Sequence, residues 1–324
     1  MMRPLLKLVP DNTNIDFMRA RWAAIVLSIL MVGASIALIA TRGLNLGVDF
    51  VGGQQIQATF TEAPELDALR DSIGGLNLGE PTIQQFGQPN EIAVRMPRPP
   101  AGVEDVEATR RIQAAMRAVD PQVRFDNVEA VSGAVSNELA WDGALALLLA
   151  MLGIVAYIWF RFEWQFSVGA LVSLLHDMII VIGFYAATQI EVGLNFVAAL
   201  LTLIGYSLND TVVVYDRIRE NLRRYRKMEI EPLLNLSVNE TLSRTIATNG
   251  SVLLAVLALV LIGPDTIYPL TIGILVGVIV GTYSSIYVAR FLLVPLGVGP
   301  HSFLPRAAGP SGAERVAPPA ERRA

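Results

Sequence analysis

Residues 192–215, Val192-Gly-Leu-Asn-Phe-Val-Ala-Ala-Leu-Leu-Thr-Leu-Ile-Gly-Tyr-Ser-Leu-Asn-Asp-Thr-Val-Val-Val-Tyr215, form an apolar run with a carboxylate set inside it. The run is long enough to cross ~30 Å of hydrocarbon as a helix. Asp210 lies five residues before its end, about 8 Å into the span at ~1.5 Å per residue. An ionisable group at that depth costs several kcal/mol and asks for a functional explanation.

Five further apolar stretches accompany this one, near 22–40, 142–160, 166–188, 246–262 and 267–290. The chain of 324 residues is 53% hydrophobic and only 17% charged, against about 25% charged in soluble domains. The expected fold class is therefore an α-helical polytopic membrane protein with six transmembrane helices. The first stretch exceeds a signal-peptide core, and Thr41-Arg42 is a poor cleavage context, so it reads as a retained anchor.

Composition also excludes several chemistries. There is no cysteine, hence no disulfide, thiolate nucleophile or iron–sulfur cluster. His176 and His301 are the only histidines, too few for a multi-histidine metal site. Neither Lys7 nor Lys227 follows a glycine, so no Walker A loop exists. The net charge of −4 argues against a nucleic-acid partner. No catalytic residue and no metal ligand is predicted.

Of the 25 lysines and arginines, 17 fall in the N-terminus 1–21, at Arg161, in loop 216–244, and in Arg290 with the tail 291–324. Six spans place those regions on one side, which the positive-inside rule makes cytoplasmic. Both termini are then cytoplasmic and residues 41–138 lie outside. The tail from about 299, rich in Pro, Ala, Gly and Arg, is expected to be disordered.

The outer segment 41–138 reads strand, helix, strand, strand, helix, strand: Gln54–Phe60, Glu65–Ile73, Thr82–Phe86, Glu91–Met96, Glu104–Val119 and Val123–Val131. Val106, Ile112, Met116 and Val119 are expected on one buried stripe. The order βαββαβ is an α+β ferredoxin-like arrangement. Gly52-Gly53 is read as a tight turn where this domain leaves the membrane. Gly273, Gly277 and Gly281, each four apart, form a small-residue row for close helix packing, with a sliding interface as the sharper alternative.

Within the spans, Asp177 follows His176, and Arg244 stands at the mouth of the fifth. Asn195, Asn209, Thr211 and Asn249 add neutral polar groups. Burial raises a carboxylate's pKa and an adjacent arginine lowers it, so an aspartate between those pulls can exchange a proton. Coupling is preferred over a purely structural pair for Asp210. For Asp177 the two readings stand level, with His176 as its hydrogen-bond partner. For Arg244 the rival is a headgroup anchor, because arginines snorkel at span ends.

Five motifs occur in order: Gly47-Val-Asp-Phe-Val-Gly-Gly53, Leu175-His-Asp177, Gly205-Tyr-Ser-Leu-Asn-Asp-Thr-Val-Val-Val-Tyr-Asp-Arg-Ile-Arg-Glu-Asn221, Thr241-Leu-Ser-Arg-Thr245 and Gly281-Thr-Tyr-Ser-Ser-Ile286. Over about residues 15–297 the chain thereby resembles the SecF branch of the SecD/SecF family, within the RND superfamily. The resemblance implies an accessory subunit of the Sec preprotein translocase in the bacterial inner membrane. It implies SecD as the partner supplying six more spans, association with SecYEG and with YajC and YidC, and unfolded preproteins as substrate. The resemblance also implies that the proton-motive force, or sodium in some members, drives late export with no cofactor. By the same resemblance Asp210 matches the essential membrane aspartate and Arg244 an arginine pairing with an aspartate of this chain or of SecD. Asp177 matches a His-Asp pair. Asn249, where a small residue is usual, and Gly263-Pro264 depart from the pattern. The alternatives are a half-size RND exporter of lipid or small molecules, and a non-transporting scaffold. Asn209 and Thr211 beside Asp210 suit either ion.

Overall fold

The computed structural model describes residues 13–299 except 86 and 101, and of Asp265 the backbone alone. Arg3, Lys7, His301 and the expected disordered tail lie outside the described residues.

Apolar sequence and capping residues together set the long helices. Helix α1 (Arg21–Arg42) ends where Gly43 takes a φ of 67°, and a short α2 (Val48–Val51) follows. Helix α5 (Gly133–Arg161) is capped by Ser132, whose hydroxyl accepts the Val135 N–H. Next come α6 (Trp164–Thr188), α7 (Leu194–Arg224), α8 (Ile230–Ile262), α9 (Tyr268–Ile286) and the single turn α10 (Val288–Phe291). Among the described residues, six helices are long and apolar enough to cross a membrane.

Several helices outrun the apolar stretches that announce them. Helix α5 starts nine residues before 142. Helices α7 and α8 consume most of the expected loop 216–244, leaving only residues 225–229 between them. The physical reason is local pairing. Arg217 bonds Glu220 one turn on and Glu240 of α8 at 2.7 Å, which extends the helical hairpin past the apolar core.

Between α2 and α5 lies a four-stranded antiparallel sheet, β1 (Gly53–Thr59), β2 (Thr82–Gln85), β3 (Glu91–Met96) and β4 (Arg124–Val131), in the order β2-β3-β1-β4. With α3 (Leu66–Gly74) and α4 (Asp105–Val119) this is the ferredoxin-like arrangement. Alternation puts Ile56 and Ala58 of β1 beside Ile92, Val94 and Met96 of β3, against Leu69 and Ile73 of α3 and Ile112 and Met116 of α4. The buried stripe of α4 is Ala108, Ile112 and Met116, a strict i, i+4, i+8 row. Val106 is exposed because it lies off that row, and Val119, on the same face, is exposed as the last residue of the helix. Asp120 accepts the Thr61 N–H at 2.7 Å and the Gln122 N–H at 2.8 Å, bonds that hold its carboxyl below the ordinary range.

The sheet is fastened to the α6–α7 connection. Gly47 N–H donates to Val192 O, Val192 N–H to Asn45 O, and Leu194 N–H to Asp49 Oδ2 at 2.7 Å. From β3, Arg95 pairs with Glu191 at 2.9 Å, and from β1 Gln55 donates to the same carboxylate at 3.1 Å. Gly53 has a φ of 119° and its missing Cβ would lie 2.3 Å from Met96 O, so the strand can enter only as glycine.

Candidate functional site

Asp210 lies on the α7 face turned toward α8 and α9, and is 6% exposed. Three neutral donors hold it. Thr245 Oγ1 donates to Oδ1 at 3.0 Å, while Asn249 Nδ2 and Ser285 Oγ each donate to Oδ2 at 3.1 Å. Thr245 and Asn249 are one helical turn apart on α8, so one stripe supplies both. Among the described residues, no lysine or arginine forms an ion pair with this carboxylate.

A second carboxylate sits one layer away. Asp177, fully buried on α6, accepts Ser207 Oγ and Ser284 Oγ, both at 2.7 Å. His176 Nδ1 lies 2.9 Å from Asp177 Oδ1, and its ring stacks on Tyr283 with centroids 6.2 Å apart. Adjacent residues Ser284 and Ser285 of α9 therefore serve the two aspartates separately. Likewise Ser207 and Asp210, one turn apart on α7, point one into each cluster.

The other expected residues divide. Arg244 is exposed on α8 and does not meet Asp210. It precedes Thr245, and one residue turns a helix by about 100°. Asn209 is exposed for the same reason, and Thr211 spends its hydroxyl on Ser207 O of its own helix. Asn195 bonds Thr266 O near the sheet end. The glycine row of α9 meets its neighbours closely: a Cβ would lie 2.5 Å from Tyr185 Oη at Gly273, 2.8 Å from Leu203 Cδ1 at Gly277 and 3.3 Å from Ser207 Cβ at Gly281. That row brings α9 near enough for its serines to reach both carboxylates.

Ser207, Thr245, Ser284 and Ser285 escape sequence reasoning because a serine or threonine in a helix commonly bonds its own backbone. Asn249, a departure from the family pattern, turns out to be the amide on Asp210. Arg290, counted with the cytoplasmic basic groups, is 2% exposed.

Residues 111–298 match the family described as protein export membrane protein SecD/SecF, C-terminal, and residues 37–64 match the SecD/SecF GG motif. A protein translocase subunit SecF of Cereibacter sphaeroides is 43% identical over 302 residues, covering 90% of this chain and 93% of its own. One from Vibrio alginolyticus is 40% identical over 311 residues, covering 96% and 98%. The crystal structure of SecDF, a translocon-associated membrane protein from Thermus thermophilus, is similar with a TM-score of 0.82 at 32% identity. The match covers 91% of this chain but only 40% of that one, so the chain spans about two fifths of the solved relative.

Proposed function

The chain belongs to the SecD/SecF family of protein-export membrane proteins, and from that premise we propose that it couples an ion gradient to late steps of preprotein export through Asp210. In this reading it is a multi-pass accessory subunit of the inner-membrane Sec translocase. Its termini lie in the cytoplasm and its sheet domain in the periplasm. SecD supplies the missing half of the assembly, SecYEG is the channel served, YajC and YidC are associated subunits, and unfolded preproteins are the substrate. The work is transport, without nucleotide hydrolysis.

The observation that carries the proposal is the neutral cradle of Asp210. A membrane carboxylate locked for structure alone gains most from a charged partner, and this one has three uncharged donors from two other helices. Ionised, it accepts all three. Protonated, one oxygen becomes a donor, and a group facing that oxygen must turn away. The Asn249 amide has somewhere to turn, since Nδ2 also reaches Thr282 Oγ1 at 2.6 Å. Proton uptake thus changes which bonds join α7 to α8 and α9.

The change has a route outward. Helix α7 carries Asp210, and its first residue is held by Asp49 and flanked by the Glu191 contacts to the sheet. A shift of α7 is delivered at the base of the sheet domain rather than absorbed by a slack loop. In this reading Arg244, exposed on α8, pairs with an aspartate of SecD rather than with Asp210. Protons suffice for this scheme, and sodium would need oxygens in place of the Asn249 amide donor.

The test compares wild type with Asp210→Asn at equal membrane abundance in cells lacking the native copy. Unprocessed or membrane-stalled precursor is followed with the gradient intact and collapsed. The expected result is that the mutant accumulates precursor and no longer responds to the gradient. Equal behaviour of the two proteins refutes the proposal.

A further inference from the structure

Arg290 is a buried cation that takes no direct part in the Asp210 cradle. It lies in α10, just after α9, and is only 2% exposed. Its Nε donates to Ser285 O at 3.2 Å, and Ser285 is the residue whose hydroxyl donates to Asp210 Oδ2. The guanidinium stacks over Phe17 at 5.9 Å. Its Nη2 is buried with no hydrogen-bond partner among the described residues. A buried charge with an orphaned donor is costly and calls for a compensating anion. Asp210 is the carboxylate joined to it through Ser285, whose carbonyl accepts Arg290 and whose hydroxyl donates to Asp210.

Resting on the coupling role of Asp210, we infer that Arg290 is a positioning residue of the same site, the intrachain cation that stabilises Asp210 in its ionised state between proton transfers. It acts across Ser285 rather than by a direct ion pair, so the carboxylate stays free to take a proton. Among the described residues, the other titratable groups around the pair are four tyrosines, His176 and a second carboxylate, Asp177. Tyr206 of α7 reaches Asp210 through Asn249, Tyr215 and Tyr287 flank the guanidinium, and His176, Asp177 and Tyr283 form the adjoining layer beyond Ser284. Sign follows from charge: losing a nearby cation favours the protonated acid, so the Asp210 midpoint must move to higher pH.

The experiment uses the full chain in native membranes with dicyclohexylcarbodiimide, which reacts with protonated carboxyls. Labelling of the peptides bearing Asp210 and Asp177 is read separately by mass spectrometry as a function of pH. Arg290→Gln is expected to raise the Asp210 midpoint by about one pH unit or more, and Arg290→Lys to restore most of that shift. Identical midpoints in wild type and Arg290→Gln overturn the inference, as does a lysine variant displaced as far as the glutamine. Should Arg290→Gln fail to accumulate, the double variant Asp210→Asn/Arg290→Gln decides. Removing both charges restores abundance if they compensate each other, and no rescue overturns the inference. An Asp210 that never titrates refutes the coupling role itself, whereas one that titrates without heeding Arg290 refutes this inference alone.

Discussion

The Asn249 side chain bonds on both ends. Its Nδ2 donates to Asp210 and Thr282, and its Oδ1 accepts Tyr206 Oη at 2.8 Å. Replacing it by leucine, close in volume, removes one hydrogen bond from each of these three neighbours, although Asp210 keeps Thr245 and Ser285 and Thr282 keeps Val278 O. Each buried polar group left unpaired costs about 1–3 kcal/mol. Asn249→Leu is therefore expected to depress gradient-dependent export at least tenfold in a precursor-processing assay, with Asn209→Leu near wild type. At this scale the sequence reveals that a carboxylate is deep, because depth follows from counting residues along a span. It does not reveal which neighbours the carboxylate meets, because azimuth depends on helix packing. Arg244 and Thr245 are adjacent in the chain, and only the threonine faces Asp210. Arg290 is hidden for a related reason. An arginine at a span end counts with the cytoplasmic basic groups until Phe17 is found against its guanidinium.

Helices and strands were more legible than contacts. The element order βαββαβ leads directly to the observed sheet order β2-β3-β1-β4. Helix ends were less so, since Arg217, Glu220 and Glu240 continue the α7–α8 hairpin where hydropathy falls. The α9 glycine row is a packing device whose cost can be measured. Gly277→Val sets a branched side chain where even a Cβ lies 2.8 Å from Leu203 Cδ1. Overpacking of this kind costs about 1–3 kcal/mol. The variant is expected to lose thermal stability in detergent, while Gly250→Val, at a position with nothing within 4 Å of the added Cβ, loses less.

Across the whole molecule the Glu191 contacts tie the helices to the sheet. Arg95 and Glu191 are half-shielded, with side-chain exposures of 15% and 26%, so their pairing is worth more than a surface bridge. Glu191→Gln keeps the shape and removes the charge. Amide exchange at residues 45–50 and 190–194 is expected to quicken about tenfold, equal to about 1.4 kcal/mol, with the sheet core unchanged. Export should fall in the same variant while Asp210 still titrates. Unchanged exchange would mean that the backbone bonds to Val192 and Leu194 hold the joint without help.

That joint also sets a timetable for synthesis. Asp49 and Leu194 are separated by 145 positions, and α1 packs on α6, where Ser35 sits against Gly183. At about 5–20 residues per second, the ribosome needs roughly 7–30 s to deliver the partners of a helix already inserted. Through that interval α1 lacks the α6 face that receives Ser35, and in the orientation proposed above the sheet domain crosses before its base exists. A nascent chain arrested before residue 189 would hold a sheet domain with nothing to dock on, the stage at which membrane chaperones and proteases have their opening.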